Sequence, residues 1–314
     1  MSLLTIVNNC LGEIGLTQLA TVVGNVSDAN AAQLLALANR CGRDIAHDTR
    51  AAGYWQQLRK QYTFQTSGVG PYTCTITPAT TTLTALSSTT GIVLGQNVYA
   101  SGLVNDTLVT DVSQLGSGIV GISQAPTASS TLTGQSCTFA TESYALPSDF
   151  AYLIAQTEWD RNFRWQLLGP LDAQEWQVIK SGISPVGPRM RFRIMGGLFY
   201  INPVGSASTL YIDTIAYEYV SSNWAKSATG TAQSSFLADS DVSITSDNLI
   251  TLQLKARFLQ AKGLEWQPAY QEFRDTFDRE IGRSASNRSL PLNARASGIR
   301  LLNSQNVPDS GFGT

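Results

Sequence analysis

The sequence is poor in charged side chains, which make up 14% of its 314 residues. A typical soluble domain carries roughly a quarter. The 21 Lys and Arg nearly balance the 23 Asp and Glu, so the net charge is −2. This balance excludes a strongly basic nucleic-acid binder, which needs a positive surface to hold phosphates. A surface with so little charge suits a free monomer poorly, and we expect other chains to cover much of it.

Long hydrophobic runs are also missing. No apolar stretch approaches the roughly 18 residues that a membrane-spanning helix needs, so we expect no membrane partner. The N-terminal segment MSLLTIVNNCLGEIG lacks the basic leader of a secretory signal, and polar residues interrupt its apolar part. We therefore expect synthesis in a reducing cytoplasm.

Cysteine and histidine are scarce. The four cysteines, Cys10, Cys41, Cys74 and Cys137, are too few and too scattered along the chain to predict a disulfide framework, and no CxxC pair indicates zinc. His47 is the single histidine, so a catalytic dyad or triad would have to include it. Because Cys41 lies on another face of the same predicted helix, we expect His47 at a helix surface or an interface.

Residues 66–140 differ in composition from the rest of the chain. No Lys or Arg occurs between Lys60 and Arg161, and the segment contains 16 Thr, 10 Ser and 9 Gly. Short β-prone runs separated by Gly, Pro, Asn and Ser clusters predict a small antiparallel sandwich or barrel inserted into a host domain. Low complexity and disorder are the alternative. The predicted strands are 72–77, 83–86, 97–100, 108–112 and 136–139.

Two stretches near the N-terminus show apolar residues at helical spacing. The first predicts a helix that ends at Gly15, and the second predicts a helix over residues 28–52. The predicted buried faces consist of Leu4, Val7, Leu11 and Ile14 in the first helix, and of Leu34, Ala38, Cys41 and Ile45 in the second.

Two further helices are expected soon after the predicted insert. Ser148 is a good N-cap residue and predicts a helix over 149–160. Asp172 and Glu175 have the spacing of a capping box and predict a short helix over 173–181.

Strands and a final helical pair complete the host segments. The Gly196-Gly197 doublet predicts a hairpin turn between two strands, and a third strand is expected over 209–220. Apolar periodicity over 246–283 predicts two helices.

One dense basic stripe occurs in the predicted hairpin. Arg189, Arg191 and Arg193 alternate with apolar residues, so they share one face of a strand. The arginines could bind phosphate or an acidic partner. We favour the other interpretation, an exposed strand face that forms salt bridges between subunits.

The last segment, residues 284–314, shows little periodicity and is rich in Ser, Asn and Gly. Its short apolar spots and its excess of Arg predict an extended C-terminal arm that orders when it docks on a partner, with a flexible terminus as the alternative. The candidate docking residues are Arg288, Leu290, Leu292, Arg295, Ile299, Arg300 and Leu301.

A dinucleotide-binding string is present at Gly116, Gly118 and Gly121, with Glu142 about 20 residues later. Proline and a Ser/Thr cluster follow the string, so no helix can hold a pyrophosphate there, and we expect a β-turn. P-loop, GxSxG, HExxH and EF-hand strings are absent from the sequence. We predict no cofactor.

Carboxylate pairs can be assembled from the sequence, for example Asp239 with Asp241. Such pairs cannot be distinguished from turn residues and helix caps before the fold is known. We therefore predict no metal site and no enzymatic activity.

Several host segments resemble the head-to-tail adaptor proteins of short-tailed bacteriophages, a group related to tail tubular protein A. These motifs are structural rather than catalytic, and their order and spacing match over most of 1–65 and 141–283. The segments that carry the resemblance are YALPSDFAYLI at 144–154, GPLDAQEWQVIKSG at 169–182, RFRIMGGLFYINP at 191–203, YEYVSSNWA at 217–225 and DNLITLQLKARFLQAKGLEW at 247–266.

The resemblance implies a structural virion protein of the neck or tail, assembled in the host cytoplasm. It implies a usually dodecameric ring that joins the portal protein to the tail nozzle or to fibre and spike proteins. Genomic DNA passes through such a ring without sequence-specific binding, and the C-terminal arm reaches the portal. The insert departs from the simplest adaptors.

The predicted fold class is therefore α+β. A helical-bundle host domain with an antiparallel hairpin or sheet spans 1–65 and 141–283, the small all-β domain spans 66–140, and the arm spans 284–314. The competing interpretation is a receptor- or glycan-binding tail component that uses the insert, with Tyr72 and Tyr99 as aromatic contacts.

Overall fold

The computed structural model describes residues 1–25, 28–48, 55–181, 189–202 and 213–284. Within these ranges it combines α-helices with antiparallel sheets, so the predicted α+β class is confirmed. The helices are α1 (Leu3–Ile14), α2 (Ala29–Ala46), α3 (Ala173–Lys180), α4 (Asp247–Ala261) and α5 (Gln267–Ser284). None of the described helices has both the length and the apolarity of a membrane span.

The strands are short, and their ladders are antiparallel. They are β1 (Arg59–Gln65), β2 (Gly68–Ile76), β3 (Thr82–Thr84), β4 (Asn97–Ala100), β5 (Val109–Asp111), β6 (Val120–Ile122), β7 (Leu132–Ala140), β8 (Ser143–Ala145), β9 (Phe150–Leu153), β10 (Trp159–Asp160), β11 (Trp165–Gln166), β12 (Arg191–Met195), β13 (Leu198–Asn202), β14 (Thr214–Ser221), β15 (Ala225–Lys226), β16 (Ala232–Gln233) and β17 (Val242–Ser243).

Helix α1 confirms the first predicted helix. The Ser2 hydroxyl caps it by accepting from the amide of Thr5, and Gly15 ends it with a left-handed φ of 79°. The buried face of α1 includes positions that were not predicted. It is also shifted around the helix, since the predicted residues Leu4 and Ile14 are only half-buried. The fully buried residues of α1 are Leu3, Ile6, Val7, Cys10 and Leu11.

Helix α2 contains the four predicted buried residues, all of which have at most 1% exposure. It begins after the N-cap residue Asp28, close to the predicted start, but it ends at Ala46 rather than at residue 52. Residues 49–54 lie outside the described residues. The Trp55 indole donates to the carbonyl of Ile45 at 3.0 Å and holds the following chain against the helix.

A first hydrophobic core forms where α1, α2, α4 and α5 pack together. Trp224 and Phe236 lie at its centre, and their rings meet edge to face with centroids 4.8 Å apart. The predicted C-terminal helical pair is confirmed by α4 and α5. Gly263, with a φ of 69°, lies at the break between them.

The helix predicted over 149–160 is wrong, because this segment forms β9 and β10. Both strands pair with β14, with Leu153 opposite Tyr219 and Trp159 opposite Ala216. Strand β9 lies between two cores: Tyr152 packs on the helical core, and the next residue, Leu153, packs on a second, aromatic core. Pairing with β14 and this alternation override the local helix-cap signal of Ser148.

The second core is aromatic and lies between two sheets. Strand β1, which the sequence did not predict, pairs with β14 along its full length, from Arg59 opposite Val220 to Gln65 opposite Thr214. The predicted hairpin is confirmed as β12 and β13, with Gly196 and Gly197 both at positive φ. Residues 209–212 of the predicted third strand lie outside the described residues. The central stacked rings are those of Phe192, Phe199 and Tyr217, with successive centroids 5.0 and 5.2 Å apart.

The strands between residues 68 and 140 form one six-stranded sheet with the order β4-β7-β2-β3-β6-β5. This sheet contributes a third hydrophobic cluster, which includes Cys74, Leu83, Cys137 and Phe139. Each of the five predicted β-runs contains a strand, and β6 is an additional one. The domain boundaries at 66 and 140 stay a prediction.

Candidate functional site

The predicted arginine stripe lies on the edge strand β12 and the residues before it. Met190 and Phe192 pack into the aromatic core, whereas Arg189 is exposed and Arg191 and Arg193 are half-buried. The predicted alternation is therefore present. Within the described ranges, none of the three guanidinium groups has a hydrogen-bond or ion-pair partner. Their positive charge is available to another molecule or subunit.

A surface groove of about 570 Å³ runs beside this stripe. Arg191 lines it together with the carboxylates of Asp172 and Glu175 at the start of α3. Leu168 and Val178 also line it and are 38% and 46% exposed. The predicted capping of α3 is confirmed, because Asp172 accepts from the amide of Glu175 at 2.7 Å. The groove thus combines both charges with exposed apolar side chains, as protein interfaces often do.

The predicted docking residues of the arm lie outside the described residues. They are Arg288, Leu290, Leu292, Arg295, Ile299, Arg300 and Leu301. Helix α5, which packs on α4, ends at Ser284, the first residue of the predicted arm.

A buried ionic network joins α3 to the sheet formed by residues 68–140. The Lys180 ammonium forms ion pairs with Asp106 and with Glu142, and the Asn97 amide donates to Glu142. The side chains of Lys180 and Glu142 are only 11% and 10% exposed. The ammonium also lies 5.7 Å from the centre of the Trp176 ring.

A cleft of about 320 Å³ lies next to this network, between α3, β13 and the loops of the six-stranded sheet. Sequence reasoning missed the network because its members are far apart in the chain. A single Lys near the end of a short helix gives no local signal of two carboxylate partners that are distant in sequence, of which Glu142 is buried.

Catalytic chemistry at His47 is not supported by its surroundings. His47 is the C-cap residue of α2, and burial lowers the pKa of its imidazole. The Cys41 thiol is fully buried, and burial raises its pKa to about 12. A thiol held protonated in this way is a poor nucleophile.

The glycine string at 116–121 forms a turn and a strand. Residues Leu115–Ser117 make one 3-10 turn, Gly118 follows with a φ of 69°, and β6 begins at Val120. The string is followed directly by a strand rather than by a helix, and the predicted turn is confirmed. Glu142, the expected ribose contact of such a motif, instead pairs with Lys180.

Asp239 and Asp241 serve as backbone acceptors rather than as a metal pair. Asp239 accepts from the amides of Val22 and Val23, at 3.1 and 2.8 Å. Asp241 accepts from the amide of Leu237 at 2.6 Å. Across the described ranges, no group of three or more His, Cys, Asp or Glu side chains could hold a metal ion.

The two candidate aromatic contacts of the glycan interpretation differ in exposure. Tyr72 packs against the third cluster and donates its hydroxyl to the carbonyl of Thr90 at 2.7 Å. Tyr99 is 38% exposed on β4. Burial, followed by the charges of Glu142 and Asp106, raises the pKa of Tyr99. The pair does not form one open aromatic platform.

Asp213 is a buried carboxyl where β1 meets the start of β14. It is 2% exposed, and its backbone exchanges hydrogen bonds with Thr66. Burial, followed by the nearby Asp160, raises its pKa to about 6. In the unfolded chain the carboxyl ionises at its ordinary pKa of 3.8, so the folded state holds the proton more tightly. Stability is therefore lost as the pH rises from about 4 through about 6.

We expect Asp213→Asn to raise the free energy of unfolding at pH 8 by about 2–3 kcal/mol, because each pKa unit is worth about 1.4 kcal/mol. At pH 4 the variant and the natural chain should be nearly equal. Urea unfolding at both pH values measures this difference. Asp275→Asn, on the exposed face of α5, is the matched control and should change little. An Asp213→Asn chain less stable than the natural chain at pH 8 would contradict the expectation.

No protein-family model matches the chain, and no curated protein sequence matches it. The resemblance to phage head-to-tail adaptors therefore stays a prediction.

Proposed function

We propose that this chain is a structural virion component: copies of it form a ring that joins the portal to the tail of a short-tailed phage and continues the DNA channel. The resemblance of the host segments to head-to-tail adaptors supports the proposal. In this role the chain acts through contacts with other proteins rather than through catalysis.

The observation that carries the proposal is the character of the surface. Only 14% of the residues are charged, and large apolar side chains stand exposed at several separate places. Leu237 is 66% exposed, Leu94 63%, Leu264 52% and Val178 46%. Contacts with neighbouring subunits and other virion proteins would cover such side chains.

The charge balance supports passage of DNA without binding. Each phosphate that a protein neutralises adds salt-dependent affinity, so a strongly basic lumen would hold the DNA. A chain with a net charge of −2 avoids this. The arginines Arg189, Arg191 and Arg193, which have no partner in the part of the chain that the structure describes, then serve contacts with a neighbouring subunit.

We also propose the finer architecture: a host domain of residues 1–65 and 141–283, an inserted β-domain of residues 66–140, and a C-terminal arm of residues 284–314. The entry and exit points of the insert support it, because the amide of Thr141 donates to the carbonyl of Ser67 at 2.9 Å. Gly68 and Ala140 are paired on β2 and β7. A segment that leaves and re-enters at neighbouring points can be inserted without disturbing the host.

Deletion of the arm tests the proposed role. We expect a chain that ends at Arg283 to keep its helical circular dichroism and its unfolding midpoint. It should lose at least about tenfold in affinity for the portal ring encoded in the same genome, because residues 284–314 supply the docking contacts. Surface plasmon resonance on immobilised portal measures this affinity.

The matched control is Arg274→Glu, a charge reversal on the exposed face of α5. It should bind the portal like the natural chain. Undiminished binding by the truncated chain would refute the arm as the docking segment. A lowered unfolding midpoint of the truncated chain would show that the host domain needs the arm for its stability. That result would contradict the expectation that the host domain folds without the arm.

A further inference from the structure

Cys74 and Cys137 are about 60 residues apart in sequence but lie on neighbouring strands. Strand β2 pairs with β7, with Tyr72 opposite Cys137 and Cys74 opposite Gln135. The two cysteines are therefore diagonal neighbours across the second and third strands of the six-stranded sheet. Both are in the third hydrophobic cluster, with 1% and 0% exposure.

The two thiols lie close enough to influence each other's titration. The neighbouring thiol lowers the pKa of Cys74 and raises that of Cys137. The Cys137 thiol in addition donates to the carbonyl of Tyr72, with Sγ and oxygen 3.3 Å apart. Both side chains thus lie on the same side of the sheet, as a covalent bond between them requires.

We propose that Cys74 and Cys137 are a disulfide-forming pair, which closes when the chain meets an oxidising disulfide such as oxidised glutathione. Diagonal partners have Cα atoms about 7–8 Å apart in a regular ladder, slightly beyond the 4.4–6.8 Å of most disulfides. The ladder is irregular between Cys74 and Ile76, which gives the strand room for the remaining shift.

The exchange proceeds in two balanced steps. The Cys74 thiolate attacks one sulfur of oxidised glutathione, forming a mixed disulfide and releasing one glutathione thiolate. The Cys137 sulfur, after losing its proton, attacks the Cys74 sulfur and releases the second glutathione. The protein loses two hydrogen atoms, and one oxidised glutathione becomes two reduced molecules. Because both thiols are buried, the strands must open locally before the first step.

The chain contains its own control pair, Cys10 and Cys41, in the helical core. Both are fully buried, and burial raises the pKa of each to about 12. They lie on two helices, α1 and α2, rather than on paired strands. If burial or proximity in the compact state were sufficient, this pair would oxidise as readily as Cys74 and Cys137.

The test measures the effective concentration of each cysteine pair in the folded full-length chain. The reduced chain is refolded over a range of glutathione redox buffers, free thiols are alkylated, and mass spectrometry of peptides quantifies every disulfide. We expect the effective concentration of the Cys74–Cys137 pair to exceed that of the Cys10–Cys41 pair at least about tenfold, because the first two cysteines lie on paired strands with their side chains on one face, whereas the other two lie on separate helices. Equal values would overturn the proposal.

A second measurement needs no refolding. The native chain is incubated with oxidised glutathione, and its intact mass and unfolding midpoint are recorded. We expect the loss of two hydrogen atoms and a rise in Tm of about 5 °C or more, since the cross-link closes a long loop. Cys74→Ser and Cys137→Ser should each abolish both changes, and Cys10→Ser should leave both intact. A bridge that persists without Cys74 would refute the assignment.

Discussion

Gly42→Ala is expected to disrupt the helical core, with a loss of more than about 3 kcal/mol or a failure to fold. A Cβ on Gly42 would lie 2.2 Å from Cζ3, 2.3 Å from Cη2 and 2.5 Å from Cε3 of the Trp224 ring. The ring has no free space to move into, because Trp224 is 0% exposed and packs edge to face with Phe236. Urea unfolding followed by circular dichroism measures the loss.

Gly12→Ala in α1 is the matched control. It is the same substitution in a helix, but nothing lies within 4 Å of the added Cβ. We expect it to be stabilising by roughly 0.5–1 kcal/mol, because Ala favours the helix over Gly. If both variants changed stability equally, backbone propensity rather than the Trp224 contact would be responsible.

If Gly42→Ala does not fold, the same substitution can be tested in a chain that already carries Trp224→Leu. Trp224→Leu removes the part of the ring that the new methyl group would strike. The cost of Gly42→Ala should therefore be smaller in a Trp224→Leu chain than in the natural chain, by more than about 1 kcal/mol. An unchanged cost would contradict the proposed clash.

Lys180→Met is expected to cost about 3–5 kcal/mol, because it leaves a buried carboxylate without its cation. Glu142 would keep only the Asn97 amide, and Asp106 would lose the contact that ties it to α3. Methionine keeps most of the volume and apolar contact of the lysine stem, so the loss reports the charge. Thermal unfolding of the full chain measures it.

Two further variants separate charge from packing at this site. Lys226→Met, at an exposed position, should change stability by less than about 0.5 kcal/mol. Glu142→Gln added to Lys180→Met should recover part of the loss, since no buried charge is then left unpaired. A Lys180→Met chain as stable as the natural one would show that the network contributes little to stability.

A helix could be predicted from the sequence where its pattern of apolar residues faces a single hydrophobic core. The spacing of Leu34, Ala38, Cys41 and Ile45 locates the buried face of α2 because this face meets a single core. The helix predicted after Ser148 is wrong because β9 packs on two cores at once. The strand identity of such a segment depends on β14, which lies about 60 residues later in the chain.

The candidate sites also differ in whether a local sequence pattern or long-range packing determines them. The alternation at Arg189, Arg191 and Arg193 is a local pattern, and the structure places the arginines on one face as expected. The pairing of Lys180 with Asp106 and Glu142, and the placement of Cys74 and Cys137 on neighbouring strands, depend on long-range packing. Spacing along the chain gives no sign of either, which is why the four cysteines looked scattered.

The central claim is that copies of this chain surround a channel below a portal. Cryo-electron microscopy of the purified full-length chain mixed with the portal ring from the same genome tests it most directly. The account predicts a closed ring of copies coaxial with the portal, with an open central channel and with residues 284–314 of each copy lying on the portal surface. Single copies bound away from the axis, or a chain that stays unassembled beside an intact portal, would contradict it.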